Sequence, residues 1–130
     1  MPAYSNALPP SAIWPGDFAQ VWNAEQPAPG SGGASASQRV ALGMKEGGPG
    51  GFSVTGFFSG APGSFEIDVQ VSDVDADTQY QTISGGNITT VDATNNTFHL
   101  DASGALATFV RLLMRSRTNA VNVTADIRRL

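Results

Sequence analysis

The octapeptide Phe65–Ser72 constrains this chain more than any other stretch. Phe65, Ile67, Val69 and Val71 alternate there with Glu66, Asp68, Gln70 and Ser72. Successive side chains of a β-strand point to opposite faces, so a period of two makes one oily face and one wet face, whereas a helix would scatter both kinds around its circumference. The alternation returns near the end, where Val121, Val123, Ala125 and Ile127 are interleaved with Asn122, Thr124, Asp126 and Arg128. A slip of one residue would turn either strand inside out, so the pattern also specifies register.

From residue 38 onward, β-branched and aromatic runs are punctuated by Gly, Pro, Asn and Asp at intervals of roughly 8 to 12 residues, the spacing of sandwiches and barrels. Further strands are expected over residues 39–45, 52–58, 79–84, 87–91, 97–100 and 107–116. Ser84-Gly85-Gly86, Asn95-Asn96 and Thr118-Asn119 tolerate positive φ and read as hairpin turns. Residues 109–114 are partly apolar on both faces, as in a central strand. The 3.6-residue spacing of Leu106, Phe109, Val110, Leu113 and Met114 keeps a helical reading open. The fold class expected is all-β: an antiparallel sandwich of about eight strands, jelly-roll-like or else Ig-like, behind an extended N-terminal arm.

Residues 1–37 have a different character. They hold Pro2, Pro9, Pro10, Pro15, Pro27 and Pro29 and end in Gly30-Ser-Gly-Gly-Ala-Ser-Ala-Ser37, which reads as an arm and flexible linker ahead of a sandwich domain over 38–130. Within the arm, Phe18, Val21 and Trp22 stand at i, i+3 and i+4 after Asp17, a possible N-cap, which predicts a short helical turn. So short a helix needs a surface to lie on. Trp14, Phe18, Val21 and Trp22 are therefore the candidate partner-binding anchors, docking either on the chain's own sandwich or on a neighbouring subunit. On this reading, removing residues 1–30 leaves a folded sandwich that no longer binds.

Charge narrows the function. With 7 basic and 11 acidic side chains the net charge is −4, and no run of Lys and Arg interleaved with aromatics marks a nucleic-acid footprint. The charged fraction, 14%, is well below the ~25% of ordinary domains, which favours broad neutral surfaces that meet other proteins. Acidic residues gather at Glu66, Asp68, Asp73, Asp75 and Asp77 and basic ones at Arg111, Arg115, Arg117, Arg128 and Arg129. They are either opposite patches that meet between subunits or solvated faces. The chain has no cysteine, which removes disulfides and thiolate chemistry. Met1 to Pro10 has neither a basic start nor an apolar stretch, and no segment approaches the ~20 apolar residues of a membrane span, so synthesis in a cytoplasm with no membrane partner is expected.

Few residues suggest chemistry. His99, Asp101 and Ser103 share one strand face, but a strand spaces such positions about 6.5 to 7 Å apart, too far for triad hydrogen bonds. Asp73-Val-Asp-Ala-Asp77 matches the opening of a calcium loop, yet Thr78 replaces the sharp-turn glycine and Ser84 the bidentate glutamate. A solvated loop is expected there, with a weak cation site as the alternative. The triplets beginning at Asn87, Asn95 and Asn122 are expected as ordinary strand and turn residues, and Gly47-Gly-Pro-Gly-Gly51 as a loop without the Lys and Ser or Thr of a phosphate site. No catalytic residue, metal or cofactor is expected.

The aromatic, proline-rich arm, the strand Phe65-Glu-Ile-Asp-Val-Gln-Val71 and the final Ser116-Arg-Thr-Asn-Ala-Val-Asn-Val-Thr-Ala-Asp-Ile127 together resemble head decoration, or cement, proteins of tailed bacteriophages, over roughly residues 57–130. The resemblance implies a homotrimer on the outside of a virion, bound to the major capsid protein and reinforcing the shell. It transfers no functional residue position by position, so only the arm aromatics are nominated. The alternatives are another virion component, such as a tail, head-completion or fibre-base protein, and a carbohydrate-binding module with Tyr4, Trp14, Trp22 or Tyr80 as its platform.

Overall fold

Both segments that alternate most cleanly are strands, and their apolar faces point inward. The computed structural model describes residues 11–43, 51–103 and 108–130. Among these it forms nine strands: β1 (Ser11–Ile13), β2 (Phe18–Glu25), β3 (Val40–Leu42), β4 (Phe52–Phe58), β5 (Phe65–Ser72), β6 (Gln81–Ile88), β7 (Thr97–Ala102), β8 (Phe109–Arg117) and β9 (Val123–Arg129). The five-stranded sheet has the order β1-β3-β8-β5-β6 and the four-stranded sheet the order β2-β9-β4-β7. Every pairing is antiparallel except that of β1 with β3.

Setting β1 aside, the first strand pairs with the last, β2 with β9; then β3 pairs with β8, β4 with β7 and β5 with β6. This is one long hairpin whose tip is the β5–β6 connection. Two more ladders, β9 with β4 and β8 with β5, roll it into two sheets. The result is the double-sheet jelly roll expected from the sequence. Between the sheets lie Val21, Trp22, Phe52, Val54, Phe58, Phe65, Ile67, Val69, Val110, Leu112, Met114, Val123 and Ile127, all buried. Phe58 stands at the centre of an aromatic group, 4.9 Å from Phe65 and 5.7 Å from Phe98 between ring centroids.

The structure corrects the reading of the first 37 residues. Residues 18–25 are a strand and not a helical turn. The i, i+3, i+4 spacing is displaced by a bulge: the register of β2 against β9 shifts between Gln20 and Trp22, so that the consecutive residues Val21 and Trp22 both face inward. The boundary at residue 37 dissolves as well. The Gly/Ser stretch runs beside β8 as an irregular continuation of β3, with Gly30 N–H donating to Met114 O at 3.1 Å, Ser37 N–H to Leu112 O at 2.8 Å, and a bridge between Ala36 and Leu113. Ser35 and Ser37 are buried. Small side chains serve here for close packing and not for flexibility.

Elsewhere the differences are local. Residues 109–114 belong to β8, flanked by β3 and β5, and the helical reading fails because both its faces are covered; Leu106, part of that reading, lies outside the described residues. The two strands expected over 79–84 and 87–91 are one strand, β6, and Ser84-Gly85-Gly86 is no hairpin turn. Residues 83–86 bulge opposite the single residue Val69, with Gly85 at φ +74°. Asn95-Asn96 does turn the chain, Asn96 adopting φ +55°. The glycine loop expected over 47–51 lies outside the described residues, apart from Gly51.

Candidate functional site

The sequence nominated four anchors, and the fold divides them into two pairs. Val21 and Trp22, each 1% exposed, are core residues of this chain and are withdrawn from any partner while the sandwich is folded. Trp14 and Phe18 remain outside, 54% and 59% exposed. Two of the sugar-platform candidates also fail, because Trp22 and Tyr80 are buried; Tyr4 lies outside the described residues.

Trp14 owes its position to the turn Trp14-Pro-Gly-Asp17. Asp17 N–H donates to Trp14 O at 2.8 Å, with Pro15 and Gly16 at the two central positions and Gly16 at φ +93°, a type II turn in which the second central residue needs positive φ. The Asp17 carboxylate closes the turn by accepting from Trp14 N–H at 3.2 Å. Gly16 N–H donates to Arg129 O at 2.8 Å and Arg129 N–H to Asp17 O at 2.9 Å, which ties the turn to the last strand. One face of the indole rests on Gly43, where a Cβ would come within 2.5 Å of the ring. The tryptophan is held in one place and half of it faces water.

Phe18 opens the outer face of the four-stranded sheet. The register sets Arg128 beside it on β9, and the guanidinium carbon stands 5.7 Å from the ring centroid. Next on that face come Asp126, opposite Thr55 of β4, and His99 of β7, also opposite Thr55. Thr55 Oγ1 lies 3.1 Å from His99 Nδ1, and His99 Nε2 lies 2.8 Å from Asp101 Oδ1. Reach along the strand was underestimated from the sequence: backbone spacing separates His99 and Asp101, but the long imidazole spans the gap. The hydroxyl in the row comes from the neighbouring strand and not from Ser103. The imidazole and carboxylate are 56% and 66% exposed on an open sheet face.

The acidic run Asp73, Asp75 and Asp77 lies at the hairpin tip and folds back on the five-stranded sheet. Each carboxylate has its own partner. Asp73 accepts from Thr108 N–H at 3.3 Å, Asp75 takes Arg39 in a two-pronged bond at 3.0 Å together with the Tyr80 hydroxyl at 2.8 Å, and Asp77 takes Arg111 at 2.7 Å and Gly33 N–H at 3.1 Å. Arg111 is 1% exposed and stacks under the Tyr80 ring at 4.3 Å. The three acids therefore converge on arginines and main chain, and no group of three metal-ligating side chains occurs among the described residues.

Part of the segregated charge meets its opposite within the chain, Asp77 with Arg111 and Asp68 with Arg115, whereas Arg117 and Arg129 donate to backbone carbonyls and Arg128 lies over Phe18. Because β5 lies beside β8, Asp68 pairs with Arg115 and Glu66 accepts from Ser116 Oγ at 3.3 Å. What the sequence reading missed was Arg39, Arg111 and Arg129 as buried cations, and for Arg111 the available signal was the alternation itself, which places it between Val110 and Leu112 in a strand partly apolar on both faces. No protein-family model matches this sequence, and neither does any curated protein.

Proposed function

We propose that the chain is a non-enzymatic structural protein of a virion, a decoration protein that binds the major capsid protein on the outer surface of a tailed-phage shell and stabilises it, acting as a homotrimer. The observation that carries this reading is Trp14. Tryptophan is the side chain most enriched among interface hot spots, and an aromatic already fixed in its bound geometry loses little entropy on docking. Here the turn, its two bonds to β9 and the seat on Gly43 supply that preorganisation. Phe57 and Phe18, 47% and 59% exposed, extend the apolar surface available to a partner.

The non-catalytic part of the reading is supported by His99, the one histidine, standing on an open strand face where water is not excluded from a reacting group. Stabilisation follows by mass action. A protein that binds the closed shell and not the disrupted one raises the free energy of opening in proportion to the logarithm of its concentration over Kd.

Co-sedimentation with shells assembled from the major capsid protein of the phage that carries this gene tests the proposal. The wild-type chain pellets with the shells, and Trp14→Ala weakens binding by about thirtyfold, the value of a 2 kcal/mol hot spot, while melting as the wild type does. A wild-type chain that stays in the supernatant, or a Trp14→Ala chain that binds with full affinity, overturns it.

A further inference from the structure

The outer face of the β2-β9-β4-β7 sheet carries a second feature, which shares Phe18 and Phe57 with the partner surface but does not involve Trp14. Phe18, Thr55, Asp126 and Arg128 enclose a hollow of about 200 Å³. That is smaller than the ~300–1,000 Å³ of pockets for drug-sized ligands and has room for one ring. Its chemistry is unusual for a solvated strand face. Asp126 Oδ1 is buried and accepts no hydrogen bond, and it is the one such side-chain atom among the described residues. Arg128 stands two residues away on the same face, yet no ion pair joins it to Asp126; its guanidinium lies over Phe18 instead. A carboxylate short of donors thus adjoins a guanidinium that only donates.

We propose that this hollow binds a neutral pyranoside. An anion placed here meets Asp126 and a cation meets Arg128, so a ligand with net charge loses on one side what it gains on the other. A hydroxyl both donates and accepts, and neighbouring hydroxyls on a sugar ring can donate a hydrogen bond to the accessible oxygen of the part-buried Asp126 carboxylate and accept one from Arg128 or Thr55 at once. The C–H face of the same ring is apolar and matches the exposed face of Phe18, which the fold otherwise leaves in water. Phe57 lies on the same side of β4 two residues beyond Thr55, about 7 Å further along the strand at the usual rise. It is 47% exposed and offers a second stacking surface. The site is therefore built for a glycan of more than one residue, with the Phe18 hollow as its principal subsite.

Saturation-transfer NMR of the whole chain tests this with the methyl glycosides of glucose, galactose, mannose and N-acetylglucosamine at millimolar concentration, and with the linear tetrasaccharides of glucose and N-acetylglucosamine. At least one glycoside receives saturation on its C–H face, and the corresponding tetrasaccharide binds more tightly. Phe18→Ala, an exposed position whose loss spares the core, weakens binding at least about tenfold and Phe18→Tyr restores it; Asp126→Asn weakens it as well. Absence of transfer to every glycoside and tetrasaccharide overturns the proposal, as does transfer that persists undiminished in both Phe18→Ala and Asp126→Asn. Shell binding through Trp14 is read in a separate assay, so either reading can fail without the other.

Discussion

Asp77 and Arg111 form a pair whose two halves are buried unequally, 29% and 1% exposed, and the inequality makes a prediction opposite to simple bond counting. Asp77→Ala removes the carboxylate 2.7 Å from Arg111 Nη1 and the acceptor of Gly33 N–H, leaving the guanidinium under Tyr80 with neutral acceptors, among them Gln70 Oε1 at 2.8 Å and the backbone carbonyl of residue 77 at 3.4 Å. Breaking a buried pair from one side costs about 3–5 kcal/mol, and the access of Asp77 to water places this case near 3. Arg111→Met removes the same pair from the other side. It keeps an unbranched stem of similar reach against Tyr80 and leaves Asp77 facing water with Gly33 N–H still bound, which costs about 1 kcal/mol. The double variant, which also loses the acceptor of Gly33 N–H, should then cost about 2 kcal/mol and be more stable than Asp77→Ala alone by about 1 kcal/mol. Urea unfolding followed by the emission of Trp22, which passes from a core site to water, measures all three; with m of about 1–3 kcal/mol/M the Asp77→Ala midpoint falls by about 1 M or more at unchanged m. If Arg111→Met is as damaging as Asp77→Ala, or the double variant is no better than Asp77→Ala, the buried charge is not what the acidic loop serves.

Two further variants probe the segments that the sequence misrepresented. Ser37 Oγ accepts from the buried Leu112 N–H at 2.9 Å, so Ser37→Ala should cost about 1–3 kcal/mol by urea titration, and the Ser37 amide should be protected in hydrogen exchange, where a flexible tether would exchange at once. Gly16→Ala meets no atom within 4 Å but must hold φ +93°, so it should lose about 1–2 kcal/mol through backbone strain alone, read as a lower Tm with unchanged near-ultraviolet dichroism.

The period of two was sufficient to place β5 to the residue, because Phe65, Ile67 and Val69 fill the core on one side, although Asp68, Gln70 and Ser72 on the other side are buried and not wet. It was insufficient wherever the chain departs from even pairing. Val21 and Trp22 face the same way only because β2 bulges, and a bulge is a property of the β2–β9 ladder, invisible in β2 by itself. The Gly/Ser stretch looked like a tether because small residues suit both freedom and close approach, and only the neighbour, β8, decides between them. The charged residues misled for the same reason: Asp68 and Arg115 are 47 positions apart, and their meeting depends on the hairpin rolling up. On the outer face, Phe18 and Arg128 were legible singly, but their adjacency comes from first-to-last strand pairing.

That pairing overturns the expectation that the first thirty residues can be spared. β2 is the edge strand of its sheet, and its ladder with β9 joins the two ends of the chain. Removing residues 11–25 exposes the places filled by Ile13, Val21 and Trp22, all buried. At about 1.5–3 kcal/mol for each fully buried apolar side chain, and more for the indole, the loss exceeds about 6 kcal/mol before the β2–β9 hydrogen bonds are considered. Domains of this kind are stable by only about 5–15 kcal/mol, so the truncated chain should lack a cooperative melting transition and bind dyes that report exposed apolar surface. A truncated chain that melts cooperatively within a few degrees of the full chain would show that residues 11–25 are an appendage after all. Such a result would return Val21 and Trp22 to the list of partner-binding anchors, whereas loss of the fold leaves Trp14 and Phe18 as the aromatics of this segment that a partner can reach.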